Sequence, residues 1–345
     1  MKIYFLSFLI CFSTIFCHKK MVPTEPIIEP PVIVPSSFSL GADVSWVTQM
    51  EAANKLFYNA AGQQKECMQL LKDLGSNTIR LRVWVNPANG WNGSADVVAK
   101  AVRAKNIGLR IMIDFHYSDT WADPGQQTKP TAWVGQNVDA LKNSLANHTT
   151  QILTTLKNND VTPEWVQVGN ETNDGMLWPE GKASTSMYNF TQFINAGYDA
   201  AKLVFPNTKV IVHISNGHDN NLFRWMFDGL KNNGAKYDVI GMSLYPSYFG
   251  GGWQAANNLT LINMNDMVSR YNKEVMIVEV GMPWDNATEC KLFLQDLIFK
   301  TKSIPNNKGL AVLYWEPQSY GNWQGYTLGA FDNNGKPTVA LDAFH

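Results

Sequence analysis

Cysteine is scarce in this chain, and no charge of one sign dominates it. Only four cysteines occur in 345 residues, and Cys11 and Cys17 lie in an apolar N-terminal run, so Cys67 and Cys290 alone remain for the body. That excludes a disulfide framework. No Cys/His cluster has ligand spacing, so no structural zinc or other metal site is expected. The 28 Lys+Arg and 29 Asp+Glu leave a formal net charge of −1. Without a one-sign field the chain attracts neither nucleic acid nor an anionic bilayer, and a neutral partner fits better. Aromatics are plentiful, at 12% of residues with 12 Trp. They suit a protein that stacks flat groups on its surface, although most aromatics in any globular protein are core.

Residues 1–17 read as a signal peptide, an apolar run from Ile3 to Phe16 that is too short to span a bilayer. Cys17, directly after that run, is a lipidation candidate of the bacterial lipoprotein type, although Phe16 stands where a small residue is usual. Residues 18–38 form a linker, with five prolines between positions 21 and 38 that bar helix and central strand and leave an extended spacer. The expected location is therefore a cell-surface or periplasmic lipoprotein, otherwise a secreted protein. Its only membrane contact would run through an N-terminal lipid.

From residue 39 to 345 the chain alternates short β-rich apolar runs with longer segments of helical period, the signature of βαβ units. Eight runs occur: Leu40–Ser45, Thr78–Val83, Leu109–Phe115, Trp165–Val168, Val210–Ile214, Val239–Leu244, Val275–Val280 and Ala311–Tyr314. Candidate helices between them are Gln64–Leu74, Asp96–Lys105, Val138–Lys157, Met187–Val204, Asn221–Lys231, Leu261–Tyr271 and Glu289–Thr301. Eight such pairs predict an α/β fold, a (β/α)8 TIM barrel forming one catalytic domain. An open doubly wound sheet would carry a Gly-rich phosphate turn after its first strand, which Gly41-Ala42-Asp43-Val44-Ser45 does not provide. Cys67 and Cys290 fall on the first and seventh helices, too far around the barrel to pair, and read as free thiols.

Barrel chemistry sits at the C-terminal strand ends. Those ends carry Asp43 and Ser45; Arg82, Trp84 and Asn86; Asp114, His116, Asp119 and Trp121; Asn170 and Glu171; His213 and Asn216; Tyr245; Glu279; and Trp315 with Glu316. Each has a bland explanation singly, as rim charge or core packing, but together they place polar and aromatic groups on one rim. Glu171 and Glu279, after the fourth strand and within the seventh, would face each other across the mouth. Glycoside hydrolysis needs such a pair, one carboxyl protonated to donate to the departing oxygen and one ionised to attack the anomeric carbon. A purely structural account would instead pair Glu279 with Arg82 as a buried ion pair. A carboxylate flanked by Val278 and Val280 is costly enough to want a further reason.

These motifs resemble a known family. Gly41-Ala42-Asp43, the stretch Arg82 to Pro87, the stretch His116 to Pro124, Val168-Gly169-Asn170-Glu171, Leu177-Trp178-Pro179, Tyr245-Pro246 and Tyr314-Trp315-Glu316-Pro317 look like glycoside hydrolase family 53, the endo-β-1,4-galactanases. The resemblance runs from about Gly41 to Pro317. It implies hydrolysis of β-1,4-galactan to galacto-oligosaccharides with retention of configuration, Glu171 being the acid/base and Glu279 the nucleophile. It further implies that Asn170 bonds the sugar 2-hydroxyl, that Arg82 and Tyr245 keep Glu279 ionised, and that His213 sets the proton level of Glu171. Trp84, Trp121, Trp178 and Trp315 are then sugar platforms, with Asp43, His116 and Asp119 as supporting residues.

The chain departs from the family in two places. Thr172-Asn173-Asp174 replaces an apolar-basic pair, and the segment after Pro317 is short where bacterial relatives often bind calcium. Asp285, Asn286 and Glu289 could ligate a cation, but they lack regular spacing and read as helix-start residues, so no cofactor is expected. A monomer is expected. The rivals are a related mannan, xylan or glucan hydrolase and a non-catalytic glycan binder, the latter having no need of both glutamates.

Overall fold

The computed structural model describes residues 1–2 and 38–345. The apolar run, Cys17 and the spacer up to Ser37 lie outside the described residues. From Phe38 onward eight parallel strands close into a barrel: β1 (Ser39–Asp43), β2 (Thr78–Val83), β3 (Arg110–Phe115), β4 (Trp165–Val168), β5 (Lys209–Ile214), β6 (Val239–Leu244), β7 (Glu274–Val280) and β8 (Gly309–Trp315). Strand β1 pairs with both β2 and β8 and seals the ring.

Side-chain alternation gives most of the strands two apolar faces. Residues such as Ile79, Leu81, Ile111, Ile113, Val166 and Val212 pack outward on the helical layer. Met112, Trp165, Ile211, Val239, Met276, Val278 and Leu313 fill the barrel interior. Burial on both faces is why the strands read as continuous apolar runs rather than as alternation. Above that plug the inward positions turn polar, with Asp43, Arg80, Asp114, Gln167, His213, Ser243 and Glu279 all buried.

The outer layer holds helices Cys67–Asp73, Ser94–Asn106, Val138–Asn158, Met187–Val204, Asn220–Asn232, Trp253–Tyr271 and Ala287–Lys302, with the short 3-10 helix Val339–Phe344 after β8. Several start where a side chain accepts an otherwise unpaired amide: Asn137 from Ala140, Ser186 from Asn189 and Asp219 from Leu222. Cys67 and Cys290 are both free and buried.

Three helical expectations shift. Gln64 and Lys65 pair with Phe57 and Tyr58 in a two-residue hairpin, and the first long helix starts at Cys67, capped by Glu66. The sixth starts at Trp253 instead of Leu261. Two short helices, Val47–Ala52 and Pro246–Phe249, sit in the loops after β1 and β6, at the rim.

Candidate active site

Strand β7 aims one of the two glutamates by an irregularity. Met242 of β6 pairs with Ile277, but Ser243 pairs with Glu279, so β7 carries one extra residue at Val278. With strict alternation Met276 and Val278 would face inward and Glu279 outward. The bulge turns Glu279 inward and restores Val280 to the outer face, a common use of bulges beside active sites. Glu171 reaches the same space from the end of β4 with φ +43°, in the left-handed region that a side-chain-bearing residue enters only at a cost. Both carboxyls line a cavity of ≈ 230 Å³, together with His116, Asn170, Tyr245 and Trp315.

The two carboxyls have different surroundings. Glu279 is 5% exposed; its Oε1 meets Arg80 Nη1 at 2.8 Å and its Oε2 accepts from the Tyr245 hydroxyl at 3.1 Å. Arg80 also pairs with Asp43 at 2.9 Å and Asp114 at 2.8 Å, and donates to Asn170 Oδ1 at 3.0 Å. One cation thus serves three buried carboxylates. Burial opposes its charge, but Asp114, Glu279 and Asp43 outweigh that and hold its pKa above the ordinary value. Burial pushes Glu279 up from the usual carboxylate range, Arg80 pulls it back, and Glu171 pushes it up again. Burial likewise pushes Glu171 up to about 7, with Ser243 and Arg80 acting against it.

The pair therefore titrates as a unit holding one proton near neutrality. That proton resides on Glu171. Glu279 keeps the direct cation and the donated hydroxyl, and both favour the ionised form.

Burial favours the neutral form of both histidines at the site, His116 and His213. Burial lowers His116 despite Asp114, which its Nε2 meets at 3.1 Å, while its Nδ1 accepts from Ala122 N at 3.2 Å. Burial and the Arg80 charge hold His213 well below its ordinary value. Its Nε2 lies 2.7 Å from Ser243 Oγ, and Nδ1 accepts from the Glu171 amide at 3.4 Å. His213 thus acts on Glu171 through Ser243 and the backbone, without a charge of its own. Asn170 spends Oδ1 on Arg80 and one amide hydrogen on Ala122 O at 2.9 Å, leaving the second hydrogen for a ligand in the cavity.

Arg82 is not the partner of Glu279, against the sequence expectation. Thr78, Arg80 and Arg82 all point into the barrel by strand alternation. Arg82 stands one layer above Arg80 and reaches Glu316 Oε1 at 3.4 Å. The cation that holds Glu279 is Arg80, which a reading confined to the last residue of each strand passes over. Asp43 touches the site only through Arg80 and Ser45.

A second, larger cavity of ≈ 530 Å³ adjoins the first and is lined by Trp46, Trp84, Trp91, Trp121, Trp315 and Tyr326 among others. Trp121, Trp315 and Tyr326 line both cavities. Asp119 also lines the larger one, and ties its loop by accepting from Asn86 N and Thr131 N. Trp178 lines neither; its Nε1 donates to Asp174 O, and Lys182 lies over its ring. Trp46, Trp91, Tyr248 and Tyr326 are cavity-lining residues that the strand-end pattern does not single out. Tyr248 lines the smaller cavity and is 77% exposed.

Among the described residues no group of three or more His, Cys, Asp or Glu could hold a metal ion. Glu289 instead accepts from Trp253 Nε1 at 2.8 Å.

The family model described as glycosyl hydrolase family 53 matches residues 39–344. An arabinogalactan endo-β-1,4-galactanase of Humicola insolens is 30% identical, covering 88% of this chain and 98% of its own. Another of Thermothelomyces thermophilus is 33% identical, covering 80% and 88% respectively. A solved structure from a study of two fungal β-1,4-galactanases superposes with TM-score 0.84 at 30% identity over 90% of this chain and 99% of its own. A family 53 catalytic domain of Ignisphaera aggregans gives 0.81 at 29% identity, covering 92% and 98%. The chain belongs to glycosyl hydrolase family 53.

Proposed function

We propose that the chain is a retaining endo-β-1,4-galactanase. The observation that carries this reading is the asymmetry of two carboxyls at one cavity: Glu279 is buried against Arg80 and the Tyr245 hydroxyl, whereas Glu171 is only partly buried and has no direct cation. Relatives named as galactanases supply the substrate class.

In the first step Glu171 donates its proton to the glycosidic oxygen as Glu279 attacks the anomeric carbon. The C–O bond breaks and a covalent glycosyl-enzyme forms. Loss of that proton leaves Glu171 ionised, so it withdraws a proton from the incoming water. The water then displaces Glu279 and the starting state returns. Asn170, whose free amide hydrogen faces the cavity, bonds the 2-hydroxyl most strongly as charge develops on the ring. The tryptophans of the adjoining cavity offer flat apolar faces to the C–H side of further sugars.

The export reading belongs with this proposal. An apolar N-terminal run ending at Cys17 before a Pro-rich spacer supports a lipid-tethered enzyme acting outside the cytoplasm. Intact-mass analysis of the native protein tests the tether, and an unmodified N-terminus away from Cys17 would refute it. A reducing-sugar screen on linear β-1,4-galactan, mannan, xylan and cellulose tests the activity. Galactan is expected to be cleaved fastest; faster release from any of the others would overturn the assignment.

A further inference from the structure

Arg82 is a buried cation that the chemistry above does not use. It is 1% exposed, yet neither its Nε nor its Nη2 has a hydrogen-bond partner, and its contact with Glu316 is long at 3.4 Å. Indole rings surround it instead. Its guanidinium carbon stands 4.2 Å from the ring centre of Trp121, 5.1 Å from Trp84 and 5.6 Å from Trp46.

Those rings also pack on one another edge to face. Trp46 lies 5.8 Å from Trp121 and 5.1 Å from Trp315, and Trp84 lies 5.2 Å from Trp121. All four line the larger cavity. Glu316 completes the arrangement from below: it accepts the Trp46 amide at 3.1 and 3.2 Å and directly follows Trp315 in the chain, with φ +47°. The Arg82–Glu316 pair therefore touches Trp46, Trp84 and Trp121 at their ring faces and Trp46 also at its amide, and Glu316 adjoins Trp315 in the chain.

We propose that Arg82, with Glu316, is a positioning residue that fixes the angles of these tryptophans and so sets the affinity for sugar units beyond the ring being cleaved. The role rests on the galactanase reading. It needs arginine specifically: a planar, weakly hydrated guanidinium tolerates three indole faces without a full set of hydrogen-bond acceptors, whereas an ammonium does not. The link from this layer to the catalytic carboxylate runs through the Arg82 backbone, whose amide donates to Ser45 Oγ at 2.8 Å, and that link survives replacement of the side chain.

The test compares wild type with Arg82→Lys and with the double variant Arg82→Met/Glu316→Gln, which leaves no carboxylate stranded. Each is assayed on linear galactan and on a nitrophenyl galactoside that fills only the cleavage position. For both variants KM on galactan is expected to rise about tenfold with a much smaller change in kcat, so that the preference for polymer over the short substrate falls about tenfold. The near-ultraviolet tryptophan circular dichroism should change while the far-ultraviolet spectrum stays. An equal loss on both substrates, a loss confined to kcat, or an unaltered tryptophan spectrum overturns the proposal. Wild type inactive on galactan would instead refute the functional reading, and the tryptophan spectrum would still decide the role of Arg82.

Discussion

Replacing Arg80 by methionine removes the only cation among the described residues that touches Glu279, Asp43 and Asp114, while keeping a side chain of similar reach. At 2.8 Å and an effective dielectric of about 20, the Arg80–Glu279 attraction is on the order of 4–6 kcal/mol. One pKa unit corresponds to about 1.36 kcal/mol, so its loss raises Glu279 by roughly three to four units. At a pH below both values, a rise of that size lowers the ionised fraction of the nucleophile by roughly a thousandfold or more. The kcat/KM on galactan should fall on the order of a thousandfold, mostly in kcat. Asp43 and Asp114 lose the same partner, and stranding buried carboxylates costs about 3–5 kcal/mol, so the melting temperature drops as well. Circular dichroism at the assay temperature separates lost nucleophilicity from unfolding. Arg82→Lys should lose only about tenfold, in KM. Folded Arg80→Met within tenfold of wild type, or Arg82→Lys as damaged as Arg80→Met, would refute the assignment of Arg80 to the nucleophile.

Glu171 works as an acid only while protonated, and burial places its pKa at about 7, so kcat/KM should decline as pH rises through that value. In Glu171→Gln the limb should disappear with most of the activity; an alkaline limb that persists there would assign it to another group. Burial pushes the Cys67 thiol well above its ordinary value and the Cys290 thiol up to about 12, so neither should react with a thiol reagent until the domain is unfolded. Fast labelling of either in the native protein would contradict that packing. A methyl at Gly41 would lie 2.4 Å from the Thr78 carbonyl oxygen, between β1 and β2, so Gly41→Ala should cost about 2–3 kcal/mol in denaturant unfolding. A cost near zero would mean the two strands are less tightly joined than described.

The barrel was legible because buried parallel strands advertise themselves as apolar runs between helical segments, and all eight begin and end within two residues of their expected limits. The helix Trp253–Tyr271 was half missed for a physical reason. Its buried face carries Asn257, Thr260 and Asn263, and Asn257 donates to Phe293 O while Asn263 donates to Gly217 O, so no apolar stripe marks it. Glu171 and Glu279 were found by strand position. Which arginine holds Glu279 was not, because that depends on the layer each residue occupies inside the barrel and on the extra residue at Val278. Sequence alternation marks Arg80 and Arg82 as equivalent; only closure of the barrel separates them. Trp46 escaped notice because its role comes from packing with Trp121 and Trp315, residues distant in the chain.

The central claim is that Glu279 attacks the sugar directly and Glu171 manages the proton. Proton NMR of the first moments of galactan hydrolysis tests it, since direct attack followed by water returns the starting configuration. The account predicts that the β-anomer of the new reducing end appears first, with the α-anomer growing in only by mutarotation. An α-anomer present from the first spectrum would mean that water, not Glu279, attacks the substrate, and would contradict the account.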